Sequence, residues 1–119
     1  MYEQLSSIDQ VDFSKLSDES GERIVPAVVV DRVDLALGKI GCVRMVGFMN
    51  RPALEATIET GHATFYSRTR QAIWQKGESS GNVLAVLGIY IDCDDDTLLL
   101  EVDANGPTCH SGTDSCFER

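Results

Sequence analysis

The sequence has no apolar run approaching the ~20 residues that a bilayer span requires, so a membrane-spanning role is not expected. Its opening residues, Met1-Tyr2-Glu3-Gln4, carry neither the basic patch nor the apolar stretch of an export signal, and a cytoplasmic location is the default expectation. Basic residues are few: ten Lys and Arg stand against nineteen Asp and Glu, for a formal net charge of −9. That balance argues against a nucleic-acid-binding role, because phosphate contacts need basic surface. No two cysteines are spaced C-x-x-C, which removes the zinc knuckle, and neither the H-x-E nor the P-C-x-x-C pattern of cytidine-type deaminases occurs. There is no internal repeat and no linker, and 119 residues leave no room for a second independent core, so residues 1–119 read as one domain.

What is present is 43% hydrophobic and 24% charged residues, the balance of a globular protein. The charge is unevenly spread. Residues 1–43 are net acidic, and residues 77–119 carry nine acidic groups against Arg119 alone. Between them lie Arg44, Arg51, Arg68, Arg70 and Lys76 with only Glu55 and Glu59 opposing. A basic middle between acidic flanks suits an anionic small molecule held beside a cation site, although each arginine alone reads equally well as part of a solvated face.

The pattern predicts a strand-dominated α+β domain with a mixed or antiparallel sheet. Residues 1–23, with apolar positions at Leu5, Ile8, Val11, Phe13 and Leu16, read as a short helix or a docked arm. Ile24 to Val30 is β-branched, and Pro26 places it at a sheet edge or a strand start. Val43 to Met49 is a second strand. Asn50-Arg51-Pro52 opens the one clear helix, about 50–60: Asn50 caps it, proline is tolerated in the first turn, and Gly61 ends it. Ala53, Leu54, Thr57 and Ile58 mark its inner face. Ala63 to Tyr66, Val83 to Ile91 and Thr97 to Val102 are further strands; the second is apolar at nearly every position, as if covered on both faces. The acidic stretch between the last two reads as a hairpin turn, and Lys76 to Gly81 as a loop.

Two clusters carry chemistry. In Asp92-Cys93-Asp94-Asp95-Asp96 an extended backbone projects Asp92, Asp94 and Asp96 to one side and Cys93 to the other. Three converging carboxylates repel one another unless a cation sits between them, and hard oxygen donors suit Mg²⁺ or Mn²⁺. The bland alternative is an acidic hairpin tip in water. The second cluster is Cys109-His110-Ser111-Gly112-Thr113-Asp114-Ser115-Cys116. With Cys93 it offers three thiolates, and three protein ligands with one open position is a catalytic zinc arrangement. Ordinary reduced thiols remain the alternative. Cys42, beside a strand, reads as a core thiol.

These segments resemble a known family. Gly47-Phe48-Met49-Asn50-Arg51-Pro52-Ala53-Leu54 is similar to the strand-to-helix entry of phosphoribosyl-AMP cyclohydrolases, as are Phe65 to Gln71 and Trp74 to Gly81. Asp92 to Asp96 resembles the family's D-C-D-x-D, and Cys109 to Phe117 its C-H-[ST]-G-x-x-S-C-F. The likeness runs over about residues 24–117. Thr113-Asp114 departs from it where many members carry a basic residue, and Val30 to Cys42 looks longer than the usual short hairpin.

The resemblance implies hydrolytic opening of the N1–C6 bond of the adenine ring of phosphoribosyl-AMP in histidine biosynthesis. It implies zinc on Cys93, Cys109 and Cys116, Mg²⁺ on Asp92, Asp94 and Asp96, and an intertwined homodimer whose zinc cysteines come from both subunits. Within that reading His110, next to Cys109, is the candidate for proton transfer, or else a structural hydrogen bond beside the zinc site. Arg68, Arg70 and Lys76 are candidate phosphate and ring contacts, Trp74 is a stacking or core residue, and His62 is expected at the surface.

Overall fold

The computed structural model describes residues 2–119. The β-branched run after Ile24 forms β2 (Val25–Val30), which pairs with β5 (Val43–Met49) in an antiparallel ladder from Val25↔Met49 to Val30↔Val43. On its other side β2 lies parallel to β9 (Leu98–Ala104), and β9 pairs antiparallel with β8 (Leu84–Ile91). A two-residue strand, β1 (Glu3–Gln4), completes a five-stranded mixed sheet in the order β1-β8-β9-β2-β5. Pro26 sits at the start of β2, one residue before the ladder with β9 begins at Ala27↔Leu98, where a missing donor costs least.

Two small hairpins flank the sheet. β3 (Val33–Asp34) and β4 (Lys39–Ile40) form an exposed tongue in the segment 31–42, with Leu35, Leu37 and Ile40 facing solvent. β6 (Thr64–Ser67) and β7 (Ala72–Gln75) form the other, stitched to β8 through Ala63 N–H to the Leu84 carbonyl at 2.9 Å.

The single helix, α1 (Arg51–Thr60), starts as its sequence dictates. The Asn50 side chain accepts from Ala53 N–H at 2.9 Å, and Gly61 ends the helix at φ 75°. Its buried residues are Ala53, Leu54 and Thr57. The Thr57 hydroxyl accepts from Thr64 N–H at 3.0 Å and donates to the Ala53 carbonyl at 2.9 Å, tying helix to β6. Ile58, expected on the inner face, is exposed: at 100° per residue it falls at the margin of the stripe, beyond Leu54.

The core lies between the sheet and this helix–hairpin layer. Val25, Ala27, Val29, Met45, Met49, Leu54, Phe65, Leu84, Leu98 and Leu100 fill it, and Phe65 packs its ring 5.6 Å from Trp74. Residues 2–23 form a docked arm rather than a regular helix: β1, a 3₁₀ turn (Ile8–Gln10), and Val11 buried against the core. Two further expectations are corrected. β8 is not covered on both faces throughout, because a bulge between Val86 and Gly88 turns Leu87 out to 63% exposure. Cys42 is exposed rather than in the core, since it precedes β5 on the return from the β3–β4 tongue. No helix among the described residues is long and apolar enough to cross a membrane.

Candidate active site

The β8–β9 turn brings together the three alternate aspartates. Asp92, Asp94 and Asp96 offer carboxylate oxygens that all lie within 4.8 Å of one another. Asp92 fixes the turn, its Oδ1 accepting from the N–H groups of Asp96 (3.0 Å) and Thr97 (3.1 Å). Asp95 takes a left-handed φ of 64°, which keeps its side chain out of the triad. Hydrogen bonding with Asp96 and then Asp92 raises the Asp94 carboxyl above its ordinary range. At Asp96 burial pushes upward, but contacts with Asp94, Lys15 and Asp92 outweigh it, and the carboxyl sits below its ordinary range. The N-terminal arm delivers a cation to this spot: Lys15 Nζ lies 3.5 Å from Asp94, 3.3 Å from Asp96, and donates to the Asp94 carbonyl at 3.0 Å. Hard-cation shells of radius about 2.1–2.6 Å place opposite ligands roughly 4–5 Å apart, so the carboxylate spacing fits Mg²⁺ or a similar ion. Lys15 carries no sequence signal for this role.

The second cluster is at the other end of β9. The tail after Ala104 turns back so that Cys116 N–H donates to the Arg44 carbonyl at 2.7 Å and the Ser115 hydroxyl donates to the Val43 carbonyl at 2.6 Å. Cys109 and Cys116 come close enough for each thiol to influence the other's titration. Ser111 Oγ donates to Cys109 Sγ at 3.0 Å, and this bond, with a second from the Ser111 backbone, draws the Cys109 thiol down to about 7. Burial, then the neighbouring Cys109 charge, pushes the Cys116 thiol up. Two nearby thiols, one of them drawn down towards neutrality, suit a soft ion such as zinc. Cys93 does not join them. It is exposed on the β8–β9 turn, and the seven residues of β9 separate the two attachment points by roughly 20 Å. Among the described residues of one chain, the aspartates are the one group of three or more metal-binding side chains.

Cys109 and His110 open onto a cavity of about 360 Å³, whose other wall is β7 and the loop after it: Arg70, Trp74, Lys76 and the 77–80 backbone. Trp74 presses one side onto Phe65 and leaves the ring accessible to the cavity, with Lys76 Nζ 5.8 Å from its centroid. His110 is exposed at the rim. Arg68 does not reach this cavity. It stacks 4.3 Å over the Phe48 ring and borders a separate hollow of about 610 Å³ with Asp18, Glu19 and Leu16. His62 is half-buried, its ring 3.4 Å from the Gln75 amide. Asn82 and Thr108 also shape the site and went unread in the sequence, while Ser111 enters the sequence reading only as part of the cysteine cluster and Arg44 only as part of the basic middle, although a charge inside an apolar strand was a visible signal.

Gly77 is structurally required at the cavity floor. Its φ is 84°, and a Cβ there would lie 2.3 Å from the Asn82 backbone carbonyl, which cannot swing aside. Gly77→Ala should destabilise the fold by on the order of 2 kcal/mol, visible as a lowered thermal midpoint.

Residues 45–118 match the phosphoribosyl-AMP cyclohydrolase family model. The chain belongs to that family. It is 50% identical over 103 residues to the histidine biosynthesis bifunctional protein HisIE of Salmonella typhimurium strain LT2, covering 87% of this chain and 48% of the relative. The proteins of the same name from Shewanella oneidensis and Bacteroides thetaiotaomicron are each 45% identical, over 89% and 91% of this chain and 47% and 48% of theirs. The chain thus spans about half the length of the curated relatives it matches. Within the family's matched span lie the acidic triad, Cys93, the cysteine pair and the whole wall of the cavity.

Proposed function

We propose that this chain hydrolyses the N1–C6 bond of the adenine ring of phosphoribosyl-AMP, a step of histidine biosynthesis, and that it does so as a homodimer. The observation that carries the reading is the cavity, which gathers Arg70, Trp74, Lys76, Cys109 and His110 from segments more than thirty residues apart.

Each of these residues has a task. Arg70 and Lys76 supply fixed positive charge for a ribose phosphate in a protein that is otherwise acidic, and the Gly77–Ser80 backbone allows close approach. The free side of Trp74 offers a stacking surface for the purine. His110, exposed at the rim beside Cys109, takes a proton from the attacking water and returns one to N1 as the C6–N1 bond breaks. Cys109 and Cys116, with Cys93, would hold zinc, which when bound supplies the electron withdrawal that makes water nucleophilic near neutral pH. Asp92, Asp94 and Asp96 would hold Mg²⁺ and bring compensating charge to phosphate or ring.

The dimer is what the family resemblance implies, and the layout of one chain supports it. One chain fastens Cys93 and the triad to one end of β9 and the cysteine pair to the other. A second chain can set its β8–β9 turn against the first chain's pair, which unites both metal-binding sets at one substrate.

The test is ring opening of phosphoribosyl-AMP followed by its ultraviolet change, lost on chelation, restored by zinc, and without release of ammonia. A folded, zinc-loaded protein with no turnover would overturn the reading in favour of zinc as a dimer staple. For the second metal, Asp94→Asn should weaken divalent binding by on the order of tenfold or more while leaving zinc content unchanged. Lys15→Gln should tighten it, because the ammonium between Asp94 and Asp96 is a competitor. Titration with Mn²⁺ followed by electron paramagnetic resonance checks both signs.

A further inference from the structure

Arg44 is a charged residue near the start of an apolar strand, and its side chain is only 14% exposed. Its guanidinium is held in three directions. Nε donates to the Asp31 carboxylate just past the end of β2, and Nη1 donates to Thr108 Oγ1 at 3.2 Å and to the Asp114 carbonyl at 2.9 Å. Thr108 immediately precedes Cys109, and Asp114 lies two residues before Cys116. The Asp114 carbonyl also accepts from Thr108 N–H at 3.4 Å, and Cys109 N–H donates to the Thr113 carbonyl at 3.1 Å, so the segment between the cysteines closes on itself with Arg44 at its neck. The backbone of the same residue takes the Cys116 N–H at 2.7 Å. Thr108 and Ser115 are 2% and 3% exposed, which fixes both ends of the loop against the sheet.

From this we infer that Arg44 is a positioning residue for the cysteine pair: it clamps both ends of the 108–116 loop onto β5, holds the two thiols adjacent before any ion arrives, and thereby sets the affinity for zinc. The inference rests on the reading of Cys109 and Cys116 as zinc ligands. Its physical basis is pre-organisation. An ion entering a loop already closed meets ligands in place, whereas a slack loop must first be ordered. Arginine is specific to the task, because a planar fork reaches a carboxylate on one edge and the loop on the other, and a single ammonium cannot span both.

The experiment measures Zn²⁺ affinity of the full chain by competition with a chromophoric chelator, alongside the thiolate-to-cobalt absorption of the Co²⁺-loaded protein. Arg44→Met should bind zinc roughly 10–100-fold more weakly and give a weakened cobalt–thiolate band. Arg44→Lys keeps the charge beside Asp31 and guards against a variant that fails to fold; it should lose nearly as much. Arg51→Met removes a surface pair with Asp9 (2.7 Å) and should leave zinc affinity unchanged. A wild-type chain that binds zinc tightly, with a folded Arg44→Lys or Arg44→Met chain binding it equally well, overturns this inference alone. A wild-type chain whose thiolates take neither zinc nor cobalt overturns the zinc reading along with it.

Discussion

Cys109→Ala should lose bound zinc and ring-opening turnover together, with turnover falling at least about a thousandfold. The expectation comes from the unequal state of the two adjacent thiols. Ser111 holds Cys109 down at about 7, so near neutral pH it is the thiol already available as thiolate, while burial and the Cys109 charge keep Cys116 protonated to higher pH. Removing Cys109 therefore leaves the thiol that binds a cation least readily. Because the ion must displace protons, zinc loading of the unaltered chain should weaken as pH falls through about 7, and loading should release protons into the solvent. Metal analysis of the purified variant, paired with the ultraviolet assay, decides the matter. A Cys109→Ala chain that retained zinc and full turnover would remove Cys109 from the site.

The features legible in the sequence are those set by local chemistry. Asn50, Pro52 and Gly61 marked the helix because capping, first-turn proline and a left-handed terminator act over four residues. Val43–Met49 and the β8–β9 hairpin were legible from apolar runs bounded by turn residues. β7 was not, because Ala72 to Gln75 is short and gains its strand form from pairing with β6, Phe65↔Trp74 and Tyr66↔Ile73. Ile58 and Leu87 misled for a related reason: composition says that a residue is apolar, and only a helix angle or a bulge says which way it points. At the site, alternation along an extended turn correctly grouped the aspartates. The Lys15 contact joins residues about eighty positions apart, and the Arg44 clamp joins residues more than sixty apart, with no periodicity to announce either. The parting of Cys93 from the pair is a consequence of β9 lying extended between them.

That parting leads to the second large effect. If each catalytic centre takes Cys93 from one subunit and Cys109 with Cys116 from its partner, then Cys93→Ser and Cys109→Ala chains should each be inactive alone and should rescue one another when mixed. In a mixed dimer both lesions fall into one centre, since the centre that receives the altered Cys93 turn is the one built on the altered pair, and the other centre is intact. With free exchange at equal amounts half the dimers are mixed and half the centres in each are whole, so activity should return to about a quarter of the unaltered level. The zinc content should recover in the same proportion. Unfolding and refolding the two variants together, then assaying ring opening and bound zinc, measures both. Mixed chains that dimerise and stay inactive would show that each centre draws on a single chain, and the roughly 20 Å of β9 between Cys93 and the tail would then have to be closed by a rearrangement within that chain.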